Sequence, residues 1–400
     1  MSLDFHATDL MSQEHKSDPF PFYARLRAEA PVAKWSIMGV GEIWLVTRYD
    51  DVVAVLKDKR FAKDPRNGGR KVREATDWVL KIMSNNLLRY DDPEHLRLRT
   101  LAAKAFRRCG VDHLKPCIDA VVEQHLDLLA QSSDPELVRD FAFPVPLMVI
   151  AELMGIPQDD QHRMHHWIEA AASPSGPPDM TALSAFLHYL KDLIEERSRA
   201  PRDDLISALI LAEADGDRMS VDDLVATSVA LIIAGHETAV NLLASGALTL
   251  MQHPEQKDRL IREPDLAALA VEELLRFSAP VESATERFAT EDMELNGVAI
   301  KRGDLVLAVL ASANRDDAYF TAPDVLDLGR DPNPHVAFGS GPHYCMGAPL
   351  ALLEGQAAFT RLFTRFPDIQ PAVPEHRLRW KQMPILRGLE ALPVKLGDPR

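Results

Sequence analysis

Residues 221–252 constrain this chain more than any other stretch. The segment reads as one long helix whose centre is apolar on every side. A helix without a polar stripe has no face to offer to water, so it must run through the middle of the protein. Its centre is broken by Ala234-Gly235-His236-Glu237-Thr238. Buried polar groups are costly unless something satisfies them, so this break needs a reason. Taken by itself it is equally well a packing notch, with Thr238 bonding back to the helix backbone. His236-Glu237 hints at a zinc helix, but no second histidine follows four residues after His236, so that reading fails.

The rest of the composition excludes several classes. With 400 residues, 46% of them hydrophobic, the chain can build a large core. Its net charge is -15, from 45 basic and 60 acidic residues. An acidic surface of this kind argues against nucleic-acid binding, which needs a dense basic patch. Three cysteines, Cys109, Cys117 and Cys345, are too few for a disulfide framework and fit a reducing cytoplasm. The first twenty residues are polar and acidic, with no basic and apolar sequence of the signal-peptide type. The apolar runs 224–235 and 141–151 are shorter than the roughly 18 residues a membrane span needs. The expectation is a soluble, cytoplasmic protein without a membrane anchor, and a monomer.

Along the chain, Ile43–Thr47 is rich in β-branched and aromatic residues and predicts a strand. Asp50-Asp51 open a short helix over Val52–Lys57. Residues 61–92 read as a long loop with a helical piece near Trp78–Met83. Helical periodicity governs 94–200, broken by prolines at 116, 135, 144, 146 and 157, with Ser173–Pro178 as a loop. Residues 203–215 predict a further helix. After Pro280 short β segments appear at Glu294–Ile300 and Leu305–Ala311, with turn signals at Asn296-Gly297 and Arg302-Gly303. A helix at Ala348–Phe366 and short strands close the chain. The picture is mainly α with minor β sheets, a single domain over 1–400, and its β part in 30–50, 281–311 and 368–397.

The densest chemical signal is Phe338-Gly339-Ser340-Gly341-Pro342-His343-Tyr344-Cys345-Met346-Gly347. Glycines allow unusual backbone angles and close approach to a flat ligand. A cysteine just before a helix feels N–H donors and the positive helix end, which favour a thiolate. A lone cysteine after a glycine-rich turn is more often a buried structural residue. The full string, however, resembles the haem-binding loop of the cytochrome P-450 family, Phe-Gly-x-Gly-x-His-x-Cys-x-Gly, at every fixed position. Glu273-Leu274-Leu275-Arg276 resembles the family's Glu-x-x-Arg helix signature, some seventy residues before the cysteine. The resemblance covers about residues 18–395.

That resemblance implies a triangular prism with the long helix crossing above the haem. It makes Cys345 the axial thiolate, with Phe338, Gly339, Gly347 and Ala234 against the cofactor. It gives the propionates to His95, Arg99, Arg287 and His343. Glu273 and Arg276 form a structural pair, joined by Arg330. Glu237 and Thr238 become the acid–alcohol pair that delivers protons to oxygen; many relatives carry another threonine where this chain has Ala239.

The implied activity is a haem-thiolate monooxygenase. It inserts one atom of O2 into a lipophilic small molecule of macrolide, terpenoid, steroid or fatty-acid type. The cofactor is haem b (protoporphyrin IX iron). No flavin or nicotinamide fingerprint is visible, so NAD(P)H acts only through a separate reductase, by way of a ferredoxin or flavodoxin. Residues 95–111 hold Arg97, Arg99, Lys104, Arg107 and Arg108 and no acid. The donor is expected to dock near Arg97, Lys104, Arg107 and Arg108, unless these cations are only a solvated helix face. The implied substrate pocket draws on Leu87, Leu88, the 173–178 loop, Ala230, Ala234, Val281–Thr285 and Ile385-Leu386. Two other readings stay open: a peroxide-driven haem peroxygenase, which would not need Thr238, and a non-catalytic haem ligand sensor.

Overall fold

A computed structural model describes residues 9–37, 41–72, 76–171 and 179–397. The expected loop at Ser173–Pro178 lies outside the described residues. Among the described residues the fold is mainly helical, with three small sheets. It divides into two compact units. The first comprises Met1–Lys71, Val122–Ala142 and Thr238–Arg400; the second comprises Val72–Val121 and Phe143–Glu237.

The first unit holds the strands, numbered in chain order: β1 (Val32–Ile37), β2 (Gly41–Val46), β3 (Phe61–Ala62), β4 (Arg287–Ala289), β5 (Met293–Leu295), β6 (Val298–Ile300), β7 (Leu305–Ala308), β8 (Gln370–Pro371) and β9 (Val394–Lys395). The main sheet has the order β1-β2-β7-β4-β3, with β2 and β7 parallel in the register Ile43↔Leu305. Alternation sorts its side chains onto two faces. Ile43, Leu45, Leu305 and Leu307 pack with Tyr23 and Leu26 of the Phe20–Glu29 helix. Val46, Val306 and Ala308 pack with Val52, Val55 and Leu56 of the Tyr49–Lys57 helix. The β5–β6 hairpin turns through Asn296 and Gly297 at φ of 54° and 77°, the geometry its Asn-Gly signal demands. The Ala267–Ser278 and Ala348–Arg365 helices complete this unit's core.

The second unit is helical: Trp78–Ser84, Glu94–Cys109, Pro144–Met154, Gln161–Ala171, Met180–Arg199 and Leu205–Leu211. Two helices, Lys115–Gln131 and Val221–Gln252, contribute residues to both units.

Several expectations need correction. Pro116, Pro144 and Pro146 do not break helices. They sit in first turns, where a missing N–H leaves no bond unmade. The helix expected over 203–215 covers only Leu205–Leu211. Beyond it Ala214 and Asp217 pair across Asp215 and Gly216, both at positive φ. Leu305–Ala311 is a strand only to Ala308, and Leu310–Ala313 is a short helix. The strand β3 was missed because two residues carry no period; it is held by antiparallel pairing of Phe61 with Ala289. The Val221–Gln252 helix is, by length and composition only, apolar enough to cross a membrane. Its stretch from Ala239 to Leu250 is buried, as in a core helix of a globular protein.

Candidate active site

The Cys345 loop is built within the first unit by short backbone ties. The Cys345 N–H donates to the Phe338 carbonyl at 3.0 Å, and the Gly339 N–H to Val336 at 2.8 Å. Gly339 and Gly341 both have left-handed backbone, φ 72° and 73°. At Gly341 a Cβ would stand 2.8 Å from the Leu56 carbonyl, so the loop lies directly on the end of the Tyr49–Lys57 helix. At Gly339 a Cβ would meet no atom within 4 Å. Glycine is there for its backbone angle, and it keeps the loop's surface bare at that point.

The sulfur is placed at a helix start. Gly347 is the N-cap of the Ala348–Arg365 helix, and a Cβ on it would lie 3.9 Å from Cys345 Sγ. The positive end of eighteen residues of helix therefore stands beside the thiol. Cys345 itself is half-buried.

A buried ionic lattice holds this loop from behind. Arg276 donates from Nε and Nη2 to the two Glu273 oxygens, both at 2.7 Å. Arg330 Nε reaches both oxygens at 3.2 Å, and Asn333 Nδ2 and the Asp327 N–H donate to the same carboxylate. Arg276 Nη1 also donates to the Asn314 carbonyl, while Asn314 Oδ1 accepts the Val336 N–H at 2.8 Å. Asn314 thus ties the Glu273–Arg276 pair to the loop two residues before Phe338. His335 adds a second tie. Its Nδ1 accepts the Ala337 N–H, which makes Nε2 the protonated nitrogen, and Nε2 donates to Glu272 at 2.6 Å. Sequence reasoning found Glu273, Arg276 and Arg330 but missed Asn314, Asn333, His335 and Glu272. The doubled Glu272-Glu273 was the available signal.

Arg287, in β4, is buried, and its Nη1 lies 3.5 Å from the Phe61 carbonyl. His343 ends a short turn and is half-buried. The Val281 and Ile385 segments meet: Val281 bridges Leu386, and the Glu282 and Ser283 N–H groups both donate to the Ile385 carbonyl. Glu282, next to Val281, is buried and accepts from His15, Lys16 and Tyr23. Burial would raise its carboxyl, but His15 and Lys16 overcome this and pull it down to about 2. An ionic anchor at the N-terminal helix therefore holds the Val281 segment.

In the second unit, His95 is buried in the first turns of the Glu94–Cys109 helix, with Nδ1 3.6 Å from Asp92. Burial holds its imidazole below the usual histidine range, against the opposing effect of Asp92. Arg99, one turn on, is half-buried. In the Val221–Gln252 helix, His236 is fully buried. Its Nε2 lies 3.0 Å from the Phe143 carbonyl, and its ring stands edge-on to Phe143. Ala234 and Gly235 in the same turn are exposed, whereas Ile232 is buried. Ala230 and Glu237 are half-buried, as is Thr238 at the start of the first unit's stretch. Leu87 is buried in the core, while Leu88 is exposed.

The structure narrows the basic patch. Arg97 is engaged by Glu94, Asp217 and Asp223, at 2.6, 3.2 and 2.8 Å. It serves the second unit internally and leaves Lys104, Arg107 and Arg108 as the exposed cations. Burial pushes the Cys109 and Cys117 thiols up, which makes both poor nucleophiles.

A family model described as "Cytochrome P450" matches residues 180–376. A polyketide biosynthesis cytochrome P450, PksS of Bacillus subtilis (strain 168), is 41% identical, covering 96% of this chain and 97% of that protein. This chain belongs to the cytochrome P450 family. The solved structure of Bacillus subtilis 168 PksS aligns with a TM-score of 0.91 at 39% identity, over 98% of this chain and all of that one. The cytochrome P450 monooxygenase PikC of Streptomyces venezuelae is 40% identical over 96% of this chain and 92% of its own. A structure of P450BioI in complex with hexadec-9Z-enoic acid ligated acyl carrier protein aligns with a TM-score of 0.85 at 36% identity, over 96% and 99% of the two chains. The chain is therefore a P450 monooxygenase, with the P450 fold, a haem cofactor and the use of O2.

The residues present fit that cofactor. A thiol held at a helix start is suited to ligate iron as thiolate, and the bare Gly339 surface beside it admits a flat macrocycle.

Proposed function

We propose that Cys345 would hold haem b in this P450, which would then supply the chemistry to hydroxylate or epoxidise a mid-sized lipophilic molecule of polyketide type. The observation that carries the reading is the placement of Cys345 Sγ against the start of the Ala348–Arg365 helix, in a loop closed by its own N–H on Phe338. Thiolate-ligated haem supplies O2 activation, because the ligand pushes electron density toward O–O cleavage. The protein's part is to hold, orient and protonate.

In this reading Phe338, Gly339, Gly347 and Ala234 lie against the macrocycle. His95, Arg99, Arg287 and His343 hold the propionates by charge-assisted or neutral donation; the lowered His95 is a neutral donor. Glu237 brings protons to Thr238, whose hydroxyl passes them to oxygen. Val281 and Ile385 line the substrate side together, with Leu88, Ala230 and the flank of Leu87 as further lining. The polyketide assignment draws on the printed role of PksS, and the apolar lining agrees with it. Residues 1–400 act as one catalytic domain in this reading, since the relatives match over nearly the whole chain. Electrons come from a separate ferredoxin or flavodoxin, which docks at Lys104, Arg107 and Arg108. The chain works as a soluble cytoplasmic protein.

The test is spectroscopic. Reduced protein under CO is expected to show the strongly red-shifted Soret band of thiolate ligation, and Cys345→His to lose it while still binding haem. A wild-type protein that binds haem without that band overturns the ligand assignment. Thr238→Ala is expected to divert electrons from product to peroxide; full coupled turnover of that variant on O2 and reductant would overturn the proton-delivery assignment of Thr238.

A further inference from the structure

The short N-terminal helix Gln13–Ser17 is joined to two segments far along the chain. Lys16 makes both joints. Its ammonium donates to the Glu282 carboxylate and, at 3.3 Å, to the Leu386 carbonyl. Glu282 follows Val281, and Leu386 follows Ile385. One buried cation therefore holds both segments that carry the half-buried Val281 and Ile385.

The grip is returned from the other side. Arg387 Nε donates to the Lys16 carbonyl at 3.0 Å, Nη2 to Ser17 at 2.8 Å and Nη1 to Ser278 at 3.0 Å. His15 and Tyr23 also donate to the Glu282 carboxylate. Gln13 exchanges two hydrogen bonds with the Trp380 backbone. Lys16 and Glu282 are 1% and 2% exposed, so water does not compete for their charges. A buried ion pair returns little net stability, because desolvation offsets the attraction. It penalises displacement instead, since a charge that loses its partner gains no water in exchange. Such a clasp sets position more than it sets stability.

The two segments are not otherwise held alike. The Val281 segment is tied to the end of the main sheet. The Ala284 N–H donates to the Ala308 carbonyl at 2.9 Å, and the Ala311 N–H to Glu282 at 3.0 Å. The Ile385 segment is an excursion closed by the Trp380–Leu389 bridge and by the Lys381 N–H on the Gly388 carbonyl. Its backbone meets the first segment through the Ile385 carbonyl, which accepts from Glu282 and Ser283 at 2.9 and 3.2 Å, and through the Arg387 N–H on Pro280 at 3.1 Å. The Lys16 ammonium adds a point of attachment from a separate element. In extended backbone successive side chains turn to opposite faces. With Glu282 turned to the N-terminal helix, Val281 is turned away from it.

We propose that Lys16, seated on Glu282, is a positioning residue for substrate selection: it fixes the spacing between Val281 and Ile385, and with it the size of molecule that the site accepts. Lys16 acts through these two residues and does not touch the substrate. The role rests on the reading given above, in which Val281 and Ile385 line the substrate side.

The test uses the haem-loaded protein and two probes that bind iron through nitrogen, imidazole and 4-phenylimidazole. Each affinity is read from the shift of the Soret band. Their ratio reports the room for a larger ligand and does not depend on the amount of folded protein. Lys16→Met keeps an apolar stem and removes the ammonium. It is expected to shift the ratio about threefold or more toward 4-phenylimidazole, a modest change on the scale of pocket discrimination. Lys16→Arg keeps a cation and is expected to restore most of the wild-type ratio. Hydrogen exchange of the Glu282, Ser283 and Arg387 amides is expected to quicken in Lys16→Met, while the amides pairing β2 with β7 stay as they are. Val281→Phe, a direct change to the lining, is expected to shift the ratio toward imidazole. If Val281→Phe shifts it and Lys16→Met does not, the positioning role is overturned and the lining reading stands. A ratio changed as much by Lys16→Arg as by Lys16→Met makes the effect one of packing and also overturns the role. If Val281→Phe leaves the ratio unchanged, the lining reading fails and the selection role falls with it. Should Lys16→Met not load haem, Glu282→Gln keeps the shape, removes the charge that seats Lys16, and is judged by the same ratio.

Discussion

Glu273 and Arg276 lie one helical turn apart with both side chains fully buried, and they join through two parallel bonds of 2.7 Å. Burying two charges costs more than their attraction returns unless every remaining donor and acceptor is met. Here they are met: the carboxylate also takes Arg330, Asn333 and the Asp327 N–H, and the guanidinium also serves the Asn314, Pro323 and Val325 carbonyls.

Removing one partner strands the other. Arg276→Leu should cost about 3–5 kcal/mol, the usual penalty for an uncompensated buried charge. Arg276→Lys should recover little of it, because a point charge cannot reproduce the bidentate fork. Urea unfolding checks the magnitude. Since Asn314 links Arg276 to Val336, haem retention should fall in parallel; a variant that unfolds earlier but retains haem normally would contradict that link.

The loop glycines separate two effects. At Gly339 an alanine meets no neighbour, so Gly339→Ala should cost only the roughly 1–2 kcal/mol of a left-handed L residue. Its Cβ would project from the surface proposed to face the haem, so haem affinity should drop more than stability does. At Gly341 the same change crowds the Leu56 carbonyl and should lower the melting temperature more strongly. Equal losses in both variants, by melting and by haem titration, would count against the proposed cofactor face.

How much of this was legible in the sequence depended on the range of the forces involved. The 221–252 helix, the Asn296-Gly297 hairpin and the Cys345 loop are set by local periodicity and local backbone angles, and each was readable. Glu273 and Arg276 were readable because their partners lie three residues apart. Asn314, His335 and the His15–Lys16–Glu282 anchor were not, because their partners are between about 20 and 270 residues away and no pattern marks them. Arg97 was misjudged for the same reason. It looked like a surface cation until the fold brought Asp217 and Asp223 to it.

Glu354, in the Ala348–Arg365 helix, gives the protein a pH dependence in the alkaline direction. Burial alone raises its carboxyl to about 8 from an ordinary 4.5. Between these values the folded state holds a proton that the unfolded state has lost. Stability is therefore greatest at and below about pH 4.5 on this account, and falls as pH rises toward 8. Glu282 acts in the opposite sense. With its carboxyl lowered to about 2, its contribution is complete above about 4.5 and is lost as pH falls below that. Glu354→Gln should flatten the loss between pH 5 and 8, which is on the order of 4 kcal/mol at most. Denaturant midpoints across that range check it; parallel curves for variant and wild type would place the Glu354 proton elsewhere.

The exposed cations of the Glu94–Cys109 helix make a prediction about electron supply. Arg107 and Arg108 are exposed in its last turn, where they also complement the negative end of the helix. A charge at an interface rim changes encounter rate and salt dependence more than it changes folding. Arg107→Glu with Arg108→Glu should slow reduction by a ferredoxin about tenfold or more at low salt, and the difference from wild type should shrink as salt rises. Stopped-flow reduction measures this, and the CO spectrum of the double variant should be unaltered. Arg97→Gln is the contrasting case. It breaks three ion pairs within its own unit, so its effect should appear in unfolding. If instead Arg97→Gln alone slows reduction and the double reversal does not, the donor docks elsewhere on the protein.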